Sequence, residues 1–229
     1  MARAFRATTH GYRAELDAHE RRLLTGLCAD VIQLLQARAE EVGEQAPADA
    51  GGTAEDDDAD PVFAHFRAEL AGLGEGLEEL GGSPEDDDGA APGLAAPEDE
   101  VLARLLPDAH EDPEEAGQLR RLAEGSLRDS KISDLRTARM LLESTSVILA
   151  EEQAPIFGRA LNDLRLTLSV RLGIEEEADA ERVHQVAAGG SIKSTESFMA
   201  EIYTFITWLQ ESLFSAMLRV MPDEEEPEG

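Results

Sequence analysis

Three alternating aspartates, Asp56, Asp58 and Asp60, are the closest match in the chain to a metal-binding motif. They occupy the first three ligand positions of a calcium-binding EF-hand loop. The match ends there, because Pro61 stands where the loop needs glycine and Arg67 stands where it needs a bidentate glutamate. We therefore interpret these residues as a solvated acidic run and predict no metal site.

Other patterns that could support catalysis are also incomplete. Residues 189–194 read Gly-Gly-Ser-Ile-Lys-Ser, but a phosphate-binding loop needs glycine in place of Ile192 and a strand before it. The five histidines are scattered, and only His65 and Glu69 share a helical face. The sequence predicts a protein that is not an enzyme and has no cofactor. A hydrolase or metal enzyme whose site is assembled only in three dimensions is the alternative.

The net charge of −29 is distributed unevenly along the chain. Residues 40–100 contain 20 acidic residues and one basic residue, and residues 222–229 contain five acidic residues. Such segments repel themselves and stay solvated. We predict a body formed by residues 1–42 (an arm and the first helix) and 99–221. An acidic low-complexity insertion spans 43–98, and an acidic tail spans 222–229.

Leucine and alanine at spacings of three and four predict an all-α fold, a bundle of four to five main helices with acidic disordered insertions. Asp17 and Glu20 are predicted to form a capping box at the start of one helix, and Asp112-Pro113 indicates the start of another. Residues around Phe5 could form a short strand or an extended arm, and residues 175–194 are predicted to be a polar loop. The predicted helices span 18–42, 61–72, 99–106, 113–144, 151–172 and 194–220.

Basic residues cluster on one face of the predicted 113–144 helix. At about 100° per residue they fall within an arc of about 160°, and they are Arg120, Arg121, Arg128, Lys131, Arg136 and Arg139. This basic face would suit an acidic partner, the chain's own acidic insertion or DNA. Glu114, Glu124 and Glu143 share the arc, so intrahelical ion pairs are the interpretation that we prefer.

A second set of polar residues lies in the predicted 151–172 helix. Arg165 and Arg171 border its apolar stripe, while Asn162 and Asp163 stand between its leucines and Asp163 points away from the stripe. A buried guanidinium needs a carboxylate or carbonyl partner. We therefore expect Arg165 to pair with an acid on another helix, and binding of a ligand or partner by this set is the alternative.

The predicted last helix has apolar residues on two sides. The main stripe faces the core, and a second stripe is formed by Tyr203, Phe214 and Leu218. A helix of this kind is either central in its bundle or contributes one face to a subunit interface. Central packing and a homodimer face are both consistent with the pattern.

A further signal comes from four stretches of the body, which are 5–27, 104–131, 161–174 and 203–218. Their most specific pieces are Leu-Leu-Pro-Asp-Ala at 105–109 and Asn-Asp-Leu-Arg-Leu at 162–166. Together they resemble an uncharacterised actinobacterial family, a domain of unknown function often encoded beside the Clp protease adaptor ClpS. The resemblance implies a link to regulated proteolysis or to sulfur metabolism through gene neighbourhood, and some members are labelled transcriptional regulators. No site residue follows from it.

The single cysteine, Cys28, and the lack of a continuous apolar run favour a cytoplasmic protein that does not contact membranes. The negative charge disfavours nucleic acid as a partner. The leading hypothesis is a non-enzymatic regulator or adaptor that acts through contacts with an unknown protein partner. A transcriptional regulator that contacts DNA through the basic face of the 113–144 helix is the second hypothesis.

Overall fold

The computed structural model describes residues 2–43, 93–188 and 194–219, and these residues are mainly helical, as predicted. The elements in these ranges are β1 (Arg3–Thr8), β2 (Gly11–Glu15), α1 (Ala18–Glu41), α2 (Glu100–Leu105), α3 (Pro113–Leu141), β3 (Ser146–Leu149), α4 (Gln153–Arg171), α5 (Glu177–Ala188) and α6 (Thr195–Leu218). None of the described helices is long and apolar enough to cross a membrane.

Helix starts follow the local signals in the sequence. The Asp17 carboxylate accepts hydrogen bonds from the backbone amides of His19 and Glu20, and the Glu20 carboxylate accepts one from the Asp17 backbone amide. The predicted capping box of α1 is therefore confirmed. Asp112 caps α3 with Pro113 in its first turn, which is also as predicted.

A small antiparallel sheet, in the order β1-β2-β3, accompanies the predicted helices. Of the two alternatives for the residues around Phe5, a short strand and an extended arm, the structure shows the strand, whereas β2 and β3 were not predicted. Gly11 turns the chain between β1 and β2 with φ of +102°, and a Cβ atom there would lie 2.0 Å from the Leu149 carbonyl oxygen. Only glycine fits this combination of positive φ and close approach.

Helices α1, α3, α4 and α6 enclose the core together with the sheet. The most deeply buried large side chains include Leu24, Leu135, Phe157 and Leu209, one from each of these helices. The sheet covers one side of the core through β1, where the Phe5 ring meets the Phe157 ring edge-on with centroids 5.8 Å apart.

The prediction of a polar loop over 175–194 is wrong for most of its length, because α5 occupies Glu177–Ala188. This helix has no fully buried residue, and it packs on α6, where His184 Nδ1 lies 3.0 Å from the Thr204 hydroxyl. Because this segment has few large apolar residues, their spacing in the sequence did not indicate a helix.

Several predictions lie outside the described residues. These are the helix over 61–72, most of the acidic insertion and the tail at 222–229. The last part of the predicted insertion is described, and it runs beside α3: the Leu94 amide donates to the Gly117 carbonyl oxygen at 2.9 Å, and Pro97 is buried. Residues 93–98 therefore belong to the helical body.

Candidate functional site

Glu124 of α3 is surrounded by three buried arginines. Arg38 of α1 holds it with two nitrogens, Nε at 2.9 Å and Nη2 at 3.4 Å from the two carboxylate oxygens. Arg120 and Arg128 lie one turn before and one turn after it, with guanidinium nitrogens at 3.0 Å and 3.6 Å. All four side chains are at most 7% exposed. We refer to Arg38, Arg120, Glu124 and Arg128 as the buried charge cluster.

The buried charge cluster connects three parts of the body to α3. Arg120 donates to the Leu106 carbonyl oxygen at 3.0 Å and pairs with Asp108, so it fixes the loop after α2. Arg38 donates to the Ala95 carbonyl oxygen and therefore fixes the segment that precedes α2. The cluster thus places these two segments and the end of α1 around the first half of α3.

Inside the cluster, three guanidinium groups share the carboxylate of Glu124. Two further acids at the rim, Asp108 beside Arg120 and Glu41 beside Arg38, have side chains that are 53% and 62% exposed. Burial opposes the charged form of Glu124, but hydrogen bonds from Arg38 and Arg120 outweigh it and lower the pKa of this carboxyl group. The carboxylate is therefore ionised in the folded state.

A pocket of about 100 Å³ lies directly over this cluster, between α3 and the loop that follows α2. Its walls are mainly apolar, with Leu106, Pro107 and Ala109 on the loop side and Leu119, Ala123 and Leu127 on the helix side. Arg120 and Glu124 complete the lining. We call this feature the α3 pocket.

Leucines continue from the α3 pocket onto the open surface of the helix. Leu119 and Leu127 are 41% and 40% exposed, and Leu122, one turn from Leu119, is 72% exposed. Large apolar side chains are thus presented to solvent along two turns of α3. Exposed apolar residues grouped beside a pocket are typical of a binding surface.

A family model described as a domain of unknown function (DUF2017) matches residues 2–217. The chain belongs to this family. No curated protein and no solved structure is significantly similar to the chain. The DUF2017 domain therefore includes every described helix and strand of the body except the last residue of α6.

The predicted basic face of α3 is divided in the DUF2017 domain. Arg120 and Arg128 are buried and bound to Glu124, which agrees with the preferred interpretation of intrahelical ion pairs. Lys131 is bound to Asp163 of α4 at 2.7 Å. Arg121, Arg136 and Arg139 are exposed. The six residues do not form one solvent-facing basic surface, because half of the arc faces α1 and α4.

Asp163 was expected to point away from the apolar stripe, but it is 3% exposed and faces Lys131. Burial raises the pKa of its carboxyl group, although the Lys131 ammonium acts in the opposite direction. Nearby, Arg159 binds Asp134 of α3 at 2.6 Å and 3.1 Å. These two ion pairs join α3 to α4.

The other predicted site residues of α4 and α6 have local or core roles. Arg165 donates to Asn162 Oδ1 at 3.1 Å, so the described partner is an amide on its own helix and not the expected acid on another helix. Arg171 is exposed at the end of α4. Tyr203 is 5% exposed against His184 of α5, so it belongs to the core.

Of the predicted second stripe of α6, Phe214 and Leu218 are exposed, at 42% and 68%. Phe214 packs over α4, where a Cβ atom on Gly158 would lie 2.7 Å from the phenylalanine ring. The stripe therefore divides between core packing and open surface.

Sequence reasoning missed Arg38 and Asp108, and with them the pocket. Arg38 could have been found, because it continues the buried spacing of Leu24, Cys28, Val31 and Leu35 on α1. A charged residue on such a stripe must meet a partner inside the fold. Within the described ranges, no group of three or more histidine, cysteine or acidic side chains is arranged to hold a metal ion.

Proposed function

We propose that this DUF2017 domain is a non-enzymatic binding module that recognises another protein through the α3 pocket and the leucines beside it. The observation that carries the proposal is the exposure of Leu119, Leu122 and Leu127 next to a preformed apolar pocket. Protein interfaces place aromatic or aliphatic anchors in such pockets. A regulator or adaptor in the cytoplasm, with a link to regulated proteolysis, is the role that this module would serve.

The dimensions of the α3 pocket support a protein ligand over a small-molecule substrate. Pockets that enclose drug-sized ligands have volumes of roughly 300–1,000 Å³, whereas this one has about 100 Å³. A single apolar side chain of a partner is therefore a suitable occupant. The remaining contact would be made by the open surface of α3.

The buried charge cluster supports the same role by fixing the pocket walls. Arg120, which is part of the α3 wall, donates to the Leu106 carbonyl oxygen of the opposite wall and also to Glu124 on its own helix. A preformed site loses less conformational entropy on binding than one that must order first. We do not propose DNA contact, since two arginines of the basic face are already bound inside the domain.

The proposal can be tested by affinity purification of the full chain from native lysate, followed by mass spectrometry. The test variant is Leu122→Ser/Leu127→Ser, and the matched control is Met140→Ser/Val186→Ser, which removes two exposed apolar side chains elsewhere. We expect a partner that is retained by the control and lost by the test variant. Equal recovery by both variants would contradict the proposal.

A further inference from the structure

We infer that the partner presents a basic amphipathic helix to the α3 pocket, with apolar side chains facing the pocket and lysine or arginine beside them. This inference rests on the proposed function and specifies the chemistry of the partner. It is carried by the shape of the leucine surface and by the charges that border it.

The leucine surface has the length of two helical turns. Residues 119–127 of α3 span about 12 Å at 1.5 Å per residue, and their exposed leucines lie on both sides of Ala123, which lines the pocket. A partner helix with apolar residues three and four positions apart presents side chains at this spacing. An extended polar segment would leave the leucines uncovered.

The border of the pocket is acidic. Residues 108–115 contain five acidic residues and no lysine or arginine. Asp108 is bound to Arg120, and Glu115 lies 3.1 Å from His110 Nε2. Glu111, Glu114 and Glu115 are all exposed. Glu115 lies one turn before Leu119, and Glu111 follows closely after the pocket residue Ala109. Opposite charges across an interface rim favour association and suppress incorrect partners, so a basic partner is expected.

The same charges disfavour two other occupants. Residues 44–92 of this chain contain 15 acidic residues and one basic residue, and their charge would be repelled by the border of the pocket. In a two-fold symmetric dimer through this surface, each acidic border would lie against the leucines and border of its copy. A basic amphipathic segment of a different protein would cover the leucines and would also pair with the acidic border.

Synthetic peptides test the inference directly on the full chain by fluorescence anisotropy. The probe is a 16-residue helical peptide with leucines three and four positions apart and lysines at the other positions. One matched peptide carries glutamate in place of lysine, and another carries serine in place of leucine. We expect the Lys/Leu peptide to bind at least about tenfold more tightly than either, with an affinity that falls as salt rises.

Variants of the chain separate the local border from the general negative charge. The test variant is Glu111→Gln/Glu114→Gln/Glu115→Gln, and the control is Glu175→Gln/Glu176→Gln/Glu177→Gln, which removes the same number of exposed acidic side chains at the start of α5. We expect the test variant to weaken binding of the Lys/Leu peptide about fivefold or more in low salt. The control should change it by less than twofold.

Equal weakening by the two triple variants, or no binding of the Lys/Leu peptide, would overturn the inference. If a lysate partner is nevertheless lost on Leu122→Ser/Leu127→Ser, the proposed function stands with a partner of different chemistry. If that partner is retained, the proposed function fails as well. The two experiments therefore distinguish the two failures.

Discussion

Arg38 on α1 and Glu124 on α3 are 86 residues apart in the sequence and form a buried ion pair with two nitrogen–oxygen contacts. Desolvation of the two charges offsets much of the Coulomb attraction in such a pair. Its main effect is therefore to fix the positions of the two helices. Here it holds the buried side of α3 against α1. The opposite side, with Leu119 and Leu122, is then left facing solvent.

Replacement of Glu124 by glutamine should destabilise the domain strongly. The change leaves Arg38, Arg120 and Arg128 buried without their shared counter-charge, for which we expect a loss of about 3 kcal/mol or more in the free energy of unfolding. Chemical denaturation followed by circular dichroism measures this loss. Glu41→Gln is the matched control, and it should change the free energy by less than about 0.5 kcal/mol because Glu41 is 62% exposed.

The same carboxyl group should make stability fall in acid. The pKa of Glu124 is lowered in the folded state by its arginine partners, although burial acts against them. The unfolded chain therefore binds a proton at higher pH, and the contribution of Glu124 to stability is lost as pH falls below about 5. Unfolding free energies measured from pH 6 to pH 3 should show a shallower pH dependence in Glu124→Gln than in the wild type. An identical slope in both would show that Glu124 does not contribute.

Removal of Lys131 should give a loss of stability that becomes smaller in acid, which is the opposite of the trend expected from Glu124. In Lys131→Met, Asp163 remains buried without the ammonium group, which should cost about 3 kcal/mol at pH 7. Because burial raises the pKa of Asp163, the folded variant binds a proton at higher pH than the unfolded chain. Its stability relative to the wild type should therefore recover as pH falls toward 5. In the double variant Lys131→Met/Asp163→Asn, the difference in unfolding free energy from the wild type should not change over this pH range. If that difference still shrinks toward pH 5, Asp163 is not the group that titrates.

Two glycine-to-alanine substitutions should change stability in opposite directions. Gly11→Ala places a Cβ atom 2.0 Å from the Leu149 carbonyl oxygen at a positive φ, so we expect a loss of at least about 2 kcal/mol. Gly26→Ala lies within α1 with no atom within 4 Å of the new Cβ, so we expect a gain of roughly 0.5–1 kcal/mol. Thermal unfolding of both variants measures the contrast. A similar shift for both would refute the close approach of β2 to β3.

The thiol of Cys28 should be unreactive in the native protein. The side chain is 1% exposed, and burial raises its pKa to about 12, with Asp163 acting in the same direction and Arg139 against it. Thiolate is the reactive form. We expect the rate of labelling by a disulfide reagent at pH 8 to rise by at least about 100-fold in denaturant. Rapid labelling without denaturant would contradict the described packing of α1.

Local signals in the sequence were sufficient to predict most of the helices. Asp17 and Asp112 act within one turn, so the starts of α1 and α3 could be read directly. The strand β3 has only four residues, and its apolar run of Val147, Ile148 and Leu149 is too short to distinguish a strand from a helical segment. Pairing with β2 decides its conformation.

The candidate site was predicted less well, because a helical arc does not indicate which part of it is buried. Arg120 and Arg136 share the predicted arc, yet one is buried and the other is exposed. The difference depends on Arg38 and on the loop at Leu106, which reach α3 from distant parts of the chain. The Glu124–Arg128 pair was predictable because both residues are local to one helix.

The contact of β1 with α6 has a consequence for the way in which the chain is made. The Phe5 amide donates to the Ser212 hydroxyl across 207 residues of sequence, and the Phe5 ring packs on Phe157. A ribosome releases β1 long before α6, so the first strand must wait for the last helix before the core can close. Contacts of this range slow folding and prolong exposure of apolar surface. The domain therefore completes its fold only after α6 has left the ribosome.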